Sequence, residues 1–240
     1  DTPAQAWNVL AADLAQSDPQ RPLCIYLHVP YCTSKCDFCD SYSFKLGAHQ
    51  EDRLEEYTRR LCFELRLWAE LGPFSRRPVS TVHLGGGTPA LLGPARLSRV
   101  VETIRRHYAI SPQTEWALET TASSLTPQMR AALHQLGFRR LHVGVQSLQD
   151  PVRQAIGRRS PALEVLERTS AALDLGWVVS VDLVCGLPGQ TMAGVVEDIR
   201  SLAALGVDGF SLYELLIFNQ NRCWAARMGL IERSHLPNYW

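Results

Sequence analysis

The chain has 240 residues, 46% of them hydrophobic, and its 24 basic side chains balance its 24 acidic ones. This length and composition predict a globular protein with one large domain, or a domain and a small appendage. A net charge of zero argues against the basic surface typical of nucleic-acid binding, and no stretch approaches the roughly 20 apolar residues of a membrane span.

The first 22 residues precede the first predicted strand. Ala6, Leu10 and Leu14 follow a helical spacing, and Pro19 comes after them. We therefore predict an N-terminal helical extension over 1–22 that covers another part of the protein. The remaining residues, 23–240, are predicted to form one core without a linker.

Three cysteines follow the first predicted strand, which runs from Cys24 to Val29. They lie on one short loop at the spacing C-x3-C-x2-C and are Cys32, Cys36 and Cys39. Three thiolates can bind three irons of a 4Fe-4S cluster, for which proteins normally supply four cysteines. The loop, with Phe38 as an aromatic face beside the thiols, therefore predicts a cluster with one iron open to a small molecule.

A structural zinc ion is the alternative occupant of this loop. Such a site takes four ligands, and the fourth would be Asp37, Asp40 or His28. Its cysteines commonly form two C-x2-C pairs about 12 to 20 residues apart, and the chain has no second pair. An odd total of seven cysteines without a secretory signal favours a reducing compartment and a cytoplasmic location.

Strands and helices alternate along the rest of the chain. Apolar residues at spacings of three and four predict a helix from Glu51 to Glu70. The later predicted strands cover 82–84, 116–119, 141–145, 178–184 and 210–215. This alternation predicts an α/β fold with a parallel sheet and helices outside it. Six units are fewer than the eight of a closed barrel, so we expect a partial six-stranded (βα)6 barrel, open on one side.

The predicted strands end in residues suited to ligand binding. Loops at the carboxyl ends of parallel strands gather around one site, and consecutive glycines let the backbone approach a ligand closely. The residues that we expect there are Gly86, Gly87, Thr88, Glu119 and Gln146. Two further candidates are Arg158, which follows the segment 144–147, and Asp182, a polar residue inside an apolar strand. The glycine run lacks the G-x-G-x-x-G spacing of a dinucleotide site. Arg158 could instead be a surface arginine, and Asp182 a hydrogen-bonded core acid.

Four segments occur in an order that resembles a known family. They are the cysteine loop, Gly-Gly-Gly-Thr-Pro at 85–89, Gly-Val-Gln-Ser at 144–147 and Gly-Leu-Pro-Gly-Gln at 186–190. Together they resemble the radical S-adenosylmethionine (SAM) superfamily. The similar branch contains the oxygen-independent coproporphyrinogen III dehydrogenases, the haem chaperones, and methyltransferases and cyclopropanases of the same fold.

The resemblance implies cofactors, partners and residue roles. The cofactors are a 4Fe-4S cluster and one or two SAM molecules, and the partners are a small-molecule substrate and an electron donor such as flavodoxin or ferredoxin. The glycine run at 85–89 would contact the SAM amino group, Glu119 the ribose and Arg158 the carboxylate. Gln146 would also contact SAM, and Tyr26 would lie near the sulfonium. No side chain is assigned to catalysis.

Departures from the branch indicate which reaction follows. Ser41 stands where coproporphyrinogen dehydrogenases carry another cysteine, which disfavours porphyrinogen decarboxylation. The run 120–122 and Ser160 differ from the haem chaperones. We therefore favour an enzyme that transfers a methyl or methylene group with two SAM molecules, with a haem-binding chaperone as the alternative. Relatives usually continue into a C-terminal domain, which we expect to be absent or truncated here.

Overall fold

The computed structural model describes residues 20–47, 50–70 and 73–231, with eight isolated positions among the first nineteen. The strands are β1 (Leu23–Val29), β2 (Tyr31–Cys32), β3 (Phe44–Lys45), β4 (Val79–Gly86), β5 (Glu115–Thr120), β6 (Arg140–Gln146), β7 (Val178–Cys185) and β8 (Gly209–Glu214). The helices are α1 (Glu51–Glu70), α2 (Gly93–His107), α3 (Pro127–Gln135), α4 (Asp150–Ala155), α5 (Ala162–Leu173), α6 (Met192–Leu205) and α7 (Arg222–Arg227).

Six of the strands form one parallel sheet, in the order β1-β4-β5-β6-β7-β8. Strands β1 and β8 are its two edges, and in the described part of the chain they do not pair with each other. The sheet is therefore open on one side, as the sequence predicts. Strands β2 and β3 form a separate two-stranded parallel pair.

Each strand of the large sheet alternates between an apolar and a polar face. Many of the apolar side chains, such as Val82, Leu118 and Val143, are fully buried with the helices, and burying one contributes about 1.5 to 3 kcal/mol. On the edge strand β8, Phe210 and Leu212 are exposed. The polar face includes half-buried His83, Glu119, His142, Ser180 and Asp182. This polar inner wall ends beside the cysteine loop.

The predicted elements are confirmed with small shifts of their ends. Helix α1 has the predicted bounds, Glu51–Glu70, and every predicted strand is present and parallel. The helical region 150–175 is divided into α4 and α5, with Gly157 at a φ of 78° between them. No helix in the described ranges is long and apolar enough to cross a membrane.

Two predictions about chain organisation are left open by the structure. The apolar positions of the predicted N-terminal helix, Ala6, Leu10 and Leu14, lie outside the described residues. The division into an extension over 1–22 and a core over 23–240 stays a prediction.

Candidate functional site

The cysteine loop is closed at its base. Strand β2 pairs with β3, which places Cys32 opposite Lys45 and brings the two ends of the loop together. Inside the loop, the Lys35 ammonium donates hydrogen bonds to the Ser41 carbonyl at 2.6 Å and to the Ser43 hydroxyl at 2.9 Å. Hydrogen bonds to charged donors are worth about 1.5 to 3 kcal/mol. Lys35 therefore holds together the segment that carries all three thiols.

The outer side of the loop rests on residues near the end of the described chain. Phe38 packs against an apolar cluster that includes Ile156, Leu187 and Trp224. Asn221 donates from Nδ2 to the Phe38 carbonyl at 3.3 Å. Helix α7 and the residue before it thus support the cysteine loop.

The glycine turn after β4 lies directly against the start of this loop. The Gly87 N–H donates to the Val29 carbonyl at 2.8 Å, and the Thr88 N–H donates to the Tyr31 carbonyl at 2.7 Å. A Cβ at Gly87 would lie 2.5 Å from the Tyr31 carbonyl oxygen, so only glycine fits there. The Thr88 hydroxyl approaches Cys32 Sγ at 3.8 Å.

One cavity of about 330 Å³ joins the cysteine loop to the inner wall of the sheet. It brings together nearly all of the sequence-predicted site residues. Those on its lining are Cys32, Cys36, Phe38, Cys39, Gly86, Gly87, Thr88, Glu119, Gln146, Arg158 and Asp182. The carboxyl ends of four neighbouring strands therefore meet the three thiols in one site, as the parallel sheet predicts.

Glu119 is positioned by two hydrogen bonds. His83 Nε2 lies 2.9 Å from Glu119 Oε1, and the Gly86 N–H donates to Oε2 at 2.9 Å. Burial by itself raises the pKa of Glu119, but these two hydrogen bonds and the nearby charges of His83 and His142 together outweigh it, and the net pKa lies below the ordinary value. The carboxylate is thus ionised, and its two oxygens still have lone pairs for ligand hydroxyls.

Gln146 adopts a strained backbone that directs its side chain into the site. Its φ is 65°, a left-handed value at a residue other than glycine. The buried Arg153 guanidinium donates from Nη1 to the carbonyls of Val145 and Ser147, each at 2.8 Å, and from Nε to the Ser160 carbonyl at 2.8 Å. Arg153 therefore fixes the residues on both sides of Gln146.

Two buried polar atoms at the cavity lack partners among the described residues. They are Gln146 Oε1 and Arg158 Nε. Gly144 lies beneath both side chains, and a Cβ there would come within 2.9 Å of Gln146 Nε2 and 3.4 Å of an Arg158 terminal nitrogen. Buried polar groups are normally hydrogen-bonded. An acceptor for Arg158 and a donor for Gln146 are features of a polar ligand such as an amino acid group.

Asp182 lines the cavity between Glu119 and Arg158. Burial raises its pKa, and the nearby Glu119 carboxylate raises it further. A hydrogen bond with Ser211 and the positive charge of Arg158 act in the opposite direction. The net pKa of Asp182 therefore lies above its ordinary value.

Tyr26 lies on the inner wall but outside the cavity lining. Its hydroxyl is 3.2 Å from His28 Nδ1, and His28 Nε2 is 2.8 Å from the Tyr42 carbonyl. Both ring nitrogens of His28 thus have protein partners. This leaves His28 poorly suited to complete a zinc site.

The three thiols fit a cluster better than a single ion. Burial raises the pKa of Cys36, Arg158 lowers it, and Cys39 and Cys32 raise it, so the thiols lie close enough to influence one another. In the described ranges, no three His, Cys, Asp or Glu side chains converge on one metal position. A 4Fe-4S cluster places each thiolate on its own iron, and separated thiols suit that geometry.

Sequence reasoning missed His83, His142 and Arg153. The two histidines had a usable signal, because polar residues occupy every second position of otherwise apolar strands, and a period of two marks one face of a strand. Arg153 had none, since its partners are carbonyl groups that only the folded loop brings together.

A family profile and curated relatives agree on the family to which this chain is similar. The Radical SAM superfamily profile matches residues 26–202. The heme chaperone HemW of Mycobacterium tuberculosis is 32% identical over 203 residues, which cover 83% of this chain and 51% of that protein. The oxygen-independent coproporphyrinogen III oxidase of Bradyrhizobium diazoefficiens is 32% identical over 195 residues, covering 79% and 42%.

A solved structure agrees on the fold. Coproporphyrinogen III oxidase (HemN) from Escherichia coli, described as a radical SAM enzyme, superposes with a TM-score of 0.84 at 24% identity. The match covers 95% of this chain and 54% of that one. The chain thus spans about half the length of the curated relatives that it matches.

Proposed function

The chain belongs to the radical SAM superfamily, and from that membership we propose that it binds SAM at a 4Fe-4S cluster and cleaves it reductively. Members of this family use both cofactors. The observation that carries the proposal is the shared cavity, where three thiols, a glycine turn and the unpartnered atoms of Gln146 and Arg158 meet.

Each cofactor contact is proposed for a named residue. Cys32, Cys36 and Cys39 would hold three irons and leave the fourth open, beside the ring of Phe38. The bound cluster supplies the one-electron chemistry. The Gly86 and Gly87 backbone, with Thr88, would meet the amino group of SAM.

The remaining contacts follow from charge and position. Ionised Glu119 would accept hydrogen bonds from the ribose hydroxyls, and the Arg158 guanidinium would pair with the SAM carboxylate. Gln146 Oε1 would accept a hydrogen bond from the amino acid part of SAM, and Asp182 would contact the ligand from the next strand. Tyr26, 55% exposed beside Glu119, would lie at the edge of the site near the sulfonium.

We further propose that the reaction is methyl or methylene transfer with a second SAM as carbon donor. Ser41 in place of a further cysteine supports this proposal over porphyrinogen decarboxylation, and the altered residues 120–122 and Ser160 support it over a haem chaperone. Thr120, Thr121 and Ser160 all line the cavity, so these departures fall on the site itself. The partners would be a small-molecule substrate and a donor such as flavodoxin or ferredoxin.

Haem binding is the second candidate. It is favoured by the 32% identity to the heme chaperone HemW over most of this chain. A haem-binding protein would keep the cluster and need no second SAM. Porphyrinogen oxidation, the function in the name of the coproporphyrinogen oxidases, is the third candidate and is disfavoured by Ser41.

An anaerobic incubation with methyl-labelled SAM separates these functions. The reconstituted protein is given dithionite or reduced flavodoxin and fractions of a small-molecule extract, and products are identified by mass. Transfer predicts 5'-deoxyadenosine, S-adenosylhomocysteine and label in a small molecule. Stoichiometric haem uptake without S-adenosylhomocysteine in any fraction would contradict transfer and favour the chaperone.

A further inference from the structure

His142 lies on the inner wall in a position that the cofactor assignments leave unused. It sits in the middle of β6, opposite Glu119 of β5 and Ser180 of β7. Its ring lines the same cavity as the three thiols. It stacks on His83, with ring centroids 5.2 Å apart and planes at 30°.

His142 lines the cavity, and its ring nitrogens have no hydrogen-bond partner among the described residues. Its ring contact is the one with His83. Neither nitrogen is among the fully buried polar atoms that lack a partner. This distinguishes His142 from His28, both of whose ring nitrogens contact protein groups, and from His83, whose Nε2 contacts Glu119.

The charges around His142 favour its neutral form. Burial lowers its pKa, and His83 of β4 and Arg140 of its own strand lower it further. Glu119 and Glu115 of β5 act in the opposite direction but do not reverse the shift. Asp182 lies on β7, on the other side. A neutral imidazole at pH 7 has one nitrogen that can accept a proton.

Methyl transfer to a substrate C–H removes that hydrogen as a proton. The 5'-deoxyadenosyl radical takes one hydrogen atom from the donor methyl group and becomes 5'-deoxyadenosine. The carbon–sulfur bond of the donor breaks to leave S-adenosylhomocysteine as the new carbon–carbon bond forms, and the transferred carbon regains its hydrogen as one proton and one electron from the reductant. The substrate proton therefore needs an acceptor near the reacting carbon, whereas methylene addition to a C=C bond removes no proton from the substrate.

We propose that His142 is the residue that accepts this proton from the reacting substrate. The inference rests on the proposed transfer function and assigns it a catalytic residue. Its substrate presents an aromatic C–H to the inner wall, where a methyl group replaces the hydrogen. His142 lines the shared cavity beside Glu119 and is given no cofactor contact, so it is available to a substrate bound next to SAM.

The test compares His142→Gln with His134→Gln. His134 lies exposed on α3 and stacks on Trp177, so it undergoes the same chemical change outside the barrel. With an extract fraction that supports transfer in the wild type, His142→Gln should lower S-adenosylhomocysteine formation about 100-fold or more, the usual contribution of a general base. His134→Gln should leave the formation of both S-adenosylhomocysteine and 5'-deoxyadenosine unchanged.

The pH dependence of the transfer rate distinguishes a His142 that accepts a proton from one with only a structural role. Wild-type transfer should fall as pH drops through the His142 pKa, because the imidazolium cannot accept a proton. His142→Gln should lack this fall in its residual rate. Independently of substrate, ¹⁵N NMR of the full chain should show His142 neutral at pH 7, protonating only below the ordinary histidine pKa of about 6.5.

Each contrary outcome has a different meaning. Equal S-adenosylhomocysteine formation by wild type and His142→Gln would overturn the role of His142 and leave the transfer function standing. A His142 ring protonated at pH 7 would overturn it as well. Haem uptake by the wild type with no S-adenosylhomocysteine would overturn both, and loss of that uptake in His142→Gln would make the imidazole a haem ligand instead.

Discussion

Glu119 has its orientation fixed before a ligand binds. His83 and the Gly86 N–H hold its two oxygens, and the net pKa lies below the ordinary value. A preoriented carboxylate loses less freedom when a ligand binds, so more of the hydrogen-bond energy appears as affinity.

We therefore expect Glu119→Gln to weaken SAM binding while the cluster remains. Glutamine keeps the size of the side chain but loses the charge. Losing a hydrogen bond to a charged group costs about 1.5 to 3 kcal/mol, which is roughly 10- to 100-fold in affinity. SAM affinity is measured by anaerobic titration, with the iron content determined in parallel.

Glu115→Gln is the matched control on the same strand. Glu115 pairs with Arg140 at 2.8 Å, at the opposite end of β5. It should leave SAM affinity unchanged. If the two variants bind SAM alike, Glu119 does not contact the ribose.

How well the sequence predicts the position of a residue in the site differs from one residue to the next. Glu119 and Gln146 could be predicted because each ends a strand in a recognisable segment. The polar–apolar alternation of β6 marks His142 only as a residue of the inner wall. It does not show that the imidazole lacks a hydrogen-bond partner, which is the property that the proposal uses. That property depends on side chains from neighbouring strands.

The end of β6 and the segment after it are the element on which the proposed SAM contacts depend most. Gln146 in its left-handed conformation is strained by about 1 to 3 kcal/mol, and Arg153 offsets this by bonding to the carbonyls on either side. Ser147 adds a 2.7 Å hydrogen bond to the buried Asp198 of α6.

Arg153→Met should release this segment without removing the cluster. Methionine retains apolar bulk but leaves buried carbonyls unpaired, at about 1 to 3 kcal/mol each. We expect the melting temperature to fall and SAM affinity to drop at least tenfold, with iron content unchanged. Calorimetry and anaerobic titration measure the two effects.

Arg159→Met serves as the comparison, because Arg159 is exposed next to the same cavity. The melting temperature of Arg159→Met should match that of the wild type. An Arg153→Met protein that binds SAM as tightly as Arg159→Met would show that Gln146 needs no such support.

Helices and strands with a regular apolar spacing could be predicted, and strands of two residues could not. Helix α1 spans twenty residues with a regular apolar spacing, which sequence periodicity detects. Strands β2 and β3 have two residues each, too few for any period. They form because the cysteine loop returns to its own base.

The whole molecule is a half-open barrel whose polar inner wall leads to the cysteine loop. The parallel order and the open side follow from six strand–helix units, and these could be predicted. The support of the loop by Asn221, 183 residues from Phe38, could not, because sequence pattern carries no information about such distant contacts. The chain spans about half of its curated relatives, so substrate and partners are proposals for the whole protein.

The content of iron and sulfide per chain tests the cysteine loop most directly. After anaerobic reconstitution, the wild type should contain about four of each, the composition of a 4Fe-4S cluster. Alanine at Cys32, Cys36 or Cys39 should abolish this content. Alanine at Cys62, a buried cysteine in α1, should leave it unchanged. Equal loss from Cys62→Ala, or one zinc ion per chain in place of iron, would contradict the assignment.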